Sequence, residues 1–169
     1  MKFRFLTASA VFLTMSLFSS AQPLAVGAAA PLVTAPTETG APLALGEVYA
    51  ANTYTLVYFY PKADTPGCTA QGCSLRDAFE ELTEKGVAVI GVSTDKPEAQ
   101  AKFKAKYNLP FTLLADHDKK VVEAFGVPTT MGFAKRQAYL IKDGKIIWAD
   151  HSASTGQQAA DVLKVLAAQ

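Results

Sequence analysis

The stretch YFYPKADTPGCTAQGCSLRD, Tyr58–Asp77, holds both cysteines of the chain, Cys68 and Cys73, with four residues between them. Zinc sites and dithiol redox centres use Cys-x2-Cys, so the wider spacing has to be read from the local structure it implies. Thr65 suits a helix N-cap and Pro66 the first helical position, which puts Cys68 third, inside the first turn. Leu75, Ala78, Phe79 and Leu82 follow the i, i+3, i+4, i+7 rule and predict the buried face of a helix over Cys68–Lys85. At about 100° per residue, Cys68 falls within roughly 20° of Leu75 and Cys73 about 160° away. One thiol faces inward and the other outward.

The unpaired N–H groups and dipole of a helix's first turn favour an anion there, which makes Cys68 the candidate reactive thiolate. The same helix separates the two cysteines. Residues five apart have Cα atoms roughly 8.6 Å from each other, whereas a disulfide tolerates at most about 7 Å. Either the segment is not helical in the native state, or the bond forms transiently after the helix unwinds. A sulfur oxidised on its own and then resolved by a second sulfur has the form of a peroxidase cycle.

Working outward, TYTLVYFY (Thr53–Tyr60), VAVIGVS (Val87–Ser93), FTLLAD (Phe111–Asp116) and QAYLI (Gln137–Ile141) are short runs rich in β-branched and aromatic residues that predict buried strands. Pro97–Tyr107 and Lys119–Phe125 carry helical periodicity between them, and Gln157–Ala168 predicts a last helix. YLIKDGKIIWA signals a hairpin with Asp143-Gly144 at its turn. Strand and helix alternate first and a hairpin comes last, so the expected fold is α/β, a mixed central sheet flanked by helices.

Upstream, MKFRFLTASAVFLTMSLFSSAQ begins with Lys2 and Arg4, continues with an apolar run from Phe5 to Phe18, and ends in small residues. This predicts a signal peptide over 1–21, cleaved after Ala21, with Ala28–Ala30 as an alternative site. The run is too short for a span of roughly 20 residues, so a chain that is exported, periplasmic or secreted, and free of the membrane after cleavage is expected. The functional domain then covers 22–169. The chain has 16 basic and 15 acidic side chains. Loss of Lys2 and Arg4 leaves the acidic ones in excess by one, with no basic surplus to attract nucleic acid. Gln22–Pro42, rich in Ala, Pro and Thr, reads as a linker or loosely attached arm. A monomer is expected.

Pro61, Thr65 and Cys68 fit the Pro-x3-Thr-x2-Cys motif of peroxiredoxins, and FYPKADTPGCTAQGCSLRD resembles the peroxiredoxin Q, or bacterioferritin comigratory protein, subfamily, whose resolving cysteine lies five residues after the peroxidatic one. VIGVSTD (Val89–Asp95), KFKAKYNLPFTLLAD (Lys102–Asp116), FGV (Phe125–Val127) and LIKDGKI (Leu140–Ile146) extend the resemblance from about Gly27 to the C-terminus. It implies a thioredoxin-like fold and a thiol-dependent peroxidase that reduces hydroperoxides with electrons from a thioredoxin-like donor. Carried over residue by residue, Cys68 attacks the O–O bond and becomes a sulfenic acid, and Cys73 condenses with it to an intramolecular disulfide. Thr65 hydrogen-bonds thiolate and peroxide, or else caps the helix. Pro61 shields the sulfur, or merely ends its strand. The family's cation, an arginine before a late strand, matches Arg136, whose planar guanidinium suits both thiolate and peroxide oxygens. Arg76 lies two turns along the helix from Cys68.

The chain departs from the family pattern at Gln137, where Ser or Thr is usual, at Leu32-Val33 after Pro31, and at Gly72, where Ala precedes the resolving cysteine. His117 and His151 lie far from the cysteines in sequence, so neither a metal nor a cofactor is expected. Asp116–Lys120 reads as a solvated turn and helix start, and Lys102, Lys104 and Lys106 as a wet helix face. Two other functions remain open to the sequence. One is an exported thiol-disulfide oxidoreductase on the same fold, which the lack of Cys-x2-Cys disfavours; the other is a secreted binding domain with one structural disulfide.

Overall fold

The computed structural model describes residues 22–169, so the signal peptide expected over 1–21 lies outside the described residues. In chain order the elements are β1 (Thr34–Pro36), β2 (Pro42–Ala44), α1 (Leu45–Ala51), β3 (Tyr54–Phe59), α2 (Pro66–Asp77), α3 (Phe79–Glu84), β4 (Val87–Ser93), α4 (Pro97–Tyr107), β5 (Thr112–Ala115), α5 (Lys120–Ala124), β6 (Thr129–Thr130), β7 (Phe133–Ala134), β8 (Gln137–Lys142), β9 (Lys145–Asp150) and α6 (Gln158–Leu166). The central sheet has the order β5-β4-β3-β8-β9. Its β3, β4 and β5 run parallel, while β8 is antiparallel to both β3 and β9. The sheet is therefore mixed, as the alternation followed by a hairpin predicts.

β3 is the middle strand and Thr55 to Phe59 are all buried, because helices cover both faces of the sheet. Val57 and Phe59 point to one face, where α1 and α5 add Leu45, Tyr49, Val121 and Val122. Leu56, Tyr58 and Tyr60 point to the other, where they meet Cys68, Leu75, Leu82, Phe103 and Val162 from α2, α3, α4 and α6. Tyr58 lies across β4 only because residue 91 is glycine: a Cβ there would sit 2.8 Å from the Tyr58 hydroxyl and 2.7 Å from Leu113 Cδ2. Asp143 and Gly144, with φ of 49° and 69°, make the tight turn between β8 and β9.

Three expectations need correction. Gln22–Pro42 is not a loose arm. Leu24 N–H donates to Phe125 O at 3.1 Å, Gly27 N–H to Ile146 O at 2.8 Å and Ala30 N–H to Gly144 O at 2.8 Å, so the arm lies along the β8–β9 turn and β9. β1 and β2 then pair antiparallel, and Ala35 is 3% exposed. Small side chains look like a linker by composition, but the docking is done by backbone groups that every residue carries.

The helix expected over Cys68–Lys85 is two helices, broken at Ala78 (φ −101°, ψ 11°). The break lets Phe79 reach the Phe111 ring, 6.0 Å between centroids. Tertiary packing, with neither Gly nor Pro at the break, sets that boundary.

The solvated turn expected at Asp116 is the third correction. Asp116 is buried, and its carboxylate accepts from Val121 N–H at 3.1 Å and Val122 N–H at 2.8 Å; burial outweighs those bonds and pushes its carboxyl above the usual range. Lys102 and Lys106 are exposed, as a wet helix face requires, although Lys106 pairs with Asp64; Lys104 is half-buried against Glu38. The sequence reading also missed α1 and the β6–β7 hairpin. Among the described residues no helix is long and apolar enough to cross a membrane.

Candidate active site

The site is built where β3 ends and α2 begins. Tyr60 N–H still bonds Val92 O at 3.1 Å, after which Pro61–Thr65 form a loop held from two directions. Ala63 N–H donates to Asp95 Oδ2 at 2.7 Å, and Ser93 Oγ donates to the same oxygen at 2.8 Å. Asp64 takes a left-handed backbone (φ 59°) that Asp tolerates. Its carboxylate accepts from Lys106 Nζ and, at 2.7 Å, from Tyr107 Oη, which hold it below the usual carboxylate range. Both anchors come from β4–α4, so the parallel β3–β4 pairing is what fixes the loop.

Thr65 occupies the N-cap position of α2 and Pro66 its first helical position. The Thr65 hydroxyl makes no capping bond; it donates to Lys62 O at 3.0 Å. Its proton is thereby used, and the oxygen's lone pairs are left to accept from an O–H donor. Cys68 follows in the first turn, 1% exposed, while Cys73 is half-buried, and both are free thiols. With α2 intact from Pro66 to Asp77, helical geometry keeps their Cα atoms about 8.6 Å apart, which accounts for the unpaired state.

Arg136 enters from the segment between β7 and β8. Its Nη2 lies 3.5 Å from Cys68 Sγ, and its Nη1 donates to Gln71 Oε1. The guanidinium thus brings positive charge beside a sulfur that stands in the first turn of α2, where free N–H groups and the helix dipole favour an anion. Arg76 is engaged elsewhere, with Nε donating to Asp77 Oδ1 at 2.8 Å and Nη1 to Tyr107 O at 2.9 Å. Pro61 is half-buried at the start of the loop, where β3 ends. His117 Nδ1 and His151 Nε2 each face a backbone carbonyl, of Thr94 and Leu24, and no cluster of three or more His, Cys, Asp or Glu side chains forms among the described residues.

Sequence reasoning missed Gln71, one turn after Cys68 and wholly buried. Its signal was available: Gln71 and Cys68 stand at i+3 and i, on the inward side of a helix, where a long amide needs polar partners. It also missed Asp95 as the acceptor that anchors the loop.

Comparison with known proteins places this arrangement. The AhpC/TSA family profile matches residues 26–149. Peroxiredoxin Bcp of Escherichia coli is 50% identical over 105 residues, an alignment that takes in 62% of this chain and 66% of that relative, about two thirds of its length. Peroxiredoxin Bcp of Bacillus subtilis is 38% identical over 121 residues, covering 67% of this chain and 77% of the relative. Among solved structures, peroxidoxin BcpB from Mycobacterium tuberculosis superposes with a TM-score of 0.79 at 32% identity over 85% of this chain and 96% of its own. Peroxiredoxin Q of Xanthomonas campestris gives 0.74 at 28% identity, over 81% and 90%. The sheet with its helices is thus the thioredoxin-like fold of these proteins, and the chain belongs to the AhpC/TSA family, in its Bcp/PrxQ branch of peroxiredoxins.

Proposed function

We propose that the protein is a thiol peroxidase for hydrogen peroxide and organic hydroperoxides, with Cys68 as the peroxidatic and Cys73 as the resolving cysteine. The observation that carries this reading is the Arg136 Nη2 to Cys68 Sγ contact of 3.5 Å at the first turn of α2. The Cys68 thiolate attacks one peroxide oxygen, the O–O bond breaks, and the second oxygen leaves as an alkoxide or hydroxide that takes up a proton. Arg136 lies where it would stabilise that leaving charge. Thr65 Oγ1, its own proton donated to Lys62 O, accepts from the peroxide O–H. Pro61, at the neck of the loop, shields the sulfur from water.

Cys68 is then a sulfenic acid. Condensation with the Cys73 thiol forms the disulfide and releases water, and it requires α2 to unwind first, because the intact helix holds the two apart. Two thiols of a thioredoxin-like donor reduce the bond and are themselves oxidised to a disulfide. The chain acts as a monomer, exported to the periplasm or beyond after cleavage at Ala21. Processing at Ala28–Ala30 instead would remove Leu24 and Gly27, whose N–H groups bond Phe125 and Ile146, which favours the earlier site.

Peroxide consumption with dithiothreitol or thioredoxin as donor tests the reading. Cys68→Ser should abolish turnover, and Cys73→Ser, reduced and then freed of added thiol, should perform one peroxide reduction and stall at sulfenic acid. Disulfide exchange without peroxide turnover would instead make the protein a thiol-disulfide oxidoreductase. Equal and complete loss of the first turnover in both variants would contradict the assigned roles.

A further inference from the structure

Arg136 is held by more than its neighbour. The guanidinium has only donors, so the group facing its Nη1 has to be an acceptor, and Gln71 presents Oε1 there. An amide that turns its oxygen to Arg136 turns its NH2 the other way. In Gln71 that NH2 donates to Gln158 Oε1 at 2.8 Å, across 87 residues of sequence. Gln158 is the first residue of α6, and both glutamines are 0% exposed. Gln158 Nε2, at the far end of the chain of bonds, is buried with no partner among the described residues.

Arg136 sets the polarity of this chain, and α6 completes it by supplying the acceptor for the Gln71 NH2. Were Gln158 to present its NH2 to Gln71, the Gln71 amide would have to reverse to accept from it. Its own NH2 would then face Arg136, donor against donor. Were Gln158 to lose its acceptor, the Gln71 NH2 would be left buried and unpaired, a state costly enough to turn the side chain elsewhere. Either change deprives Arg136 Nη1 of its partner and moves the guanidinium that touches Cys68 Sγ. A second bond keeps α6 in register with α2: Ala159 N–H donates to Ser74 Oγ at 3.2 Å, one helical turn beyond Gln71. Ala159 and Val162 of α6 share a core with Leu75 and Cys68.

We propose that Gln158 is a positioning residue for the peroxide-reducing step: its side-chain oxygen orients the Gln71 amide, which in turn holds the Arg136 guanidinium against Cys68. The C-terminal helix thereby completes the active site without touching the reacting atoms. The inference rests on the reading of Cys68 as the peroxidatic thiol.

The test is the rate at which full-length protein reacts with hydrogen peroxide in a single turnover. Gln158→Met keeps length and bulk but lacks the acceptor, and should slow Cys68 oxidation by about 10- to 100-fold, the cost of a displacement of about 1 Å at the chemistry. Gln158→Glu, which keeps an oxygen towards Gln71, should recover most of the rate. In a Gln71→Met background the Gln158→Met change should have no further effect, since a residue acting through Gln71 cannot act without it. Additive losses in the double variant, or a Gln158→Met rate within about twofold of wild type, would overturn the proposal. Should Gln158→Met fail to fold, Gln71→Met decides the matter: a loss of about tenfold or more supports the relay, and full activity refutes it. A wild-type protein that does not react with peroxide would refute the function itself, an outcome distinct from either.

Discussion

Gly67 leaves Arg136 its place: a Cβ on Gly67 would stand 3.2 Å from Arg136 Nη2 and 3.3 Å from Thr155 Cγ2. The residue before Cys68 is thus a packing partner of the guanidinium that lies against its sulfur. Gly67→Ala should fold, because a helical backbone accepts Ala and the neighbours need yield only a few tenths of an ångström. It should nevertheless slow single-turnover oxidation of Cys68 by about tenfold, through displacement of the guanidinium. A normal rate in stopped-flow peroxide assays would mean that Arg136 has room to spare.

Arg136→Met should slow the same step by about 10²- to 10³-fold, the usual cost of removing one preorganised donor from a developing oxyanion. Melting temperature should fall modestly, by what about 1–3 kcal/mol represents, because the buried Gln71 Oε1 loses its donor. A rate within about threefold of wild type would transfer the role to Lys62 or Arg76, although Arg76 already serves Asp77 and Tyr107.

Gly72 sits inside α2 directly before Cys73, where Gly costs roughly 0.5–1 kcal/mol against Ala. A Cβ there would find Leu109 Cδ1 at 3.5 Å and Phe103 Cζ at 3.6 Å, ordinary contact distances. Gly72→Ala should therefore stiffen α2 without strain and make the unwound state about fivefold rarer, the factor equivalent to 1 kcal/mol. Disulfide formation should slow to match, and Cys68 should carry more sulfinic acid after a peroxide pulse. Mass spectrometry would read both. Equal disulfide rates and equal overoxidation would contradict helix unwinding as the gate.

Glu38, in the β1–β2 turn, accepts from Lys104 Nζ and from Leu113 N–H at 3.0 Å. Burial pushes its carboxyl up, but these partners prevail and hold it below its ordinary value of 4.5. A depressed folded value means stability that is present above the unfolded value and is lost as pH falls through the folded one. Wild type should thus melt higher than Glu38→Gln at neutral pH, and the gap should narrow as pH falls below about 4.5. Asp116, shifted the other way, is common to both proteins and cancels in the comparison. A gap that persists unchanged in acid would remove Glu38 as its source.

Features written in local chemistry were legible in the sequence. Thr65-Pro66 starts α2, the runs of Val, Ile, Leu and aromatic residues became β3, β4, β5 and β8, and Asp143-Gly144 turned the hairpin. The inward and outward placement of Cys68 and Cys73 followed from helical phase alone. Arg136 was reached only by resemblance, because nothing in its neighbourhood signals a partner 68 residues away. The Gln71–Gln158 bond, the Asp95 anchor on Ala63 and the docked arm from Leu24 to Ala30 were out of reach for a common reason. Each joins polar groups of distant segments, and local periodicity carries no information about which buried amide meets which.

The break at Ala78 divides labour between two neighbouring stretches. Fraying that begins around Cys73 meets a helix boundary there, and beyond it α3 holds Leu82 fully buried beneath its own turns. α2 and α3 share the core that holds Cys68, Leu75 and Leu82, but the helical ladder is interrupted between them, so opening of the first is expected to stop at the boundary and leave the second folded. If Cys73 reseals the sulfur as proposed, replacements in the sheet should raise heat tolerance with less effect on that step than replacements in α2.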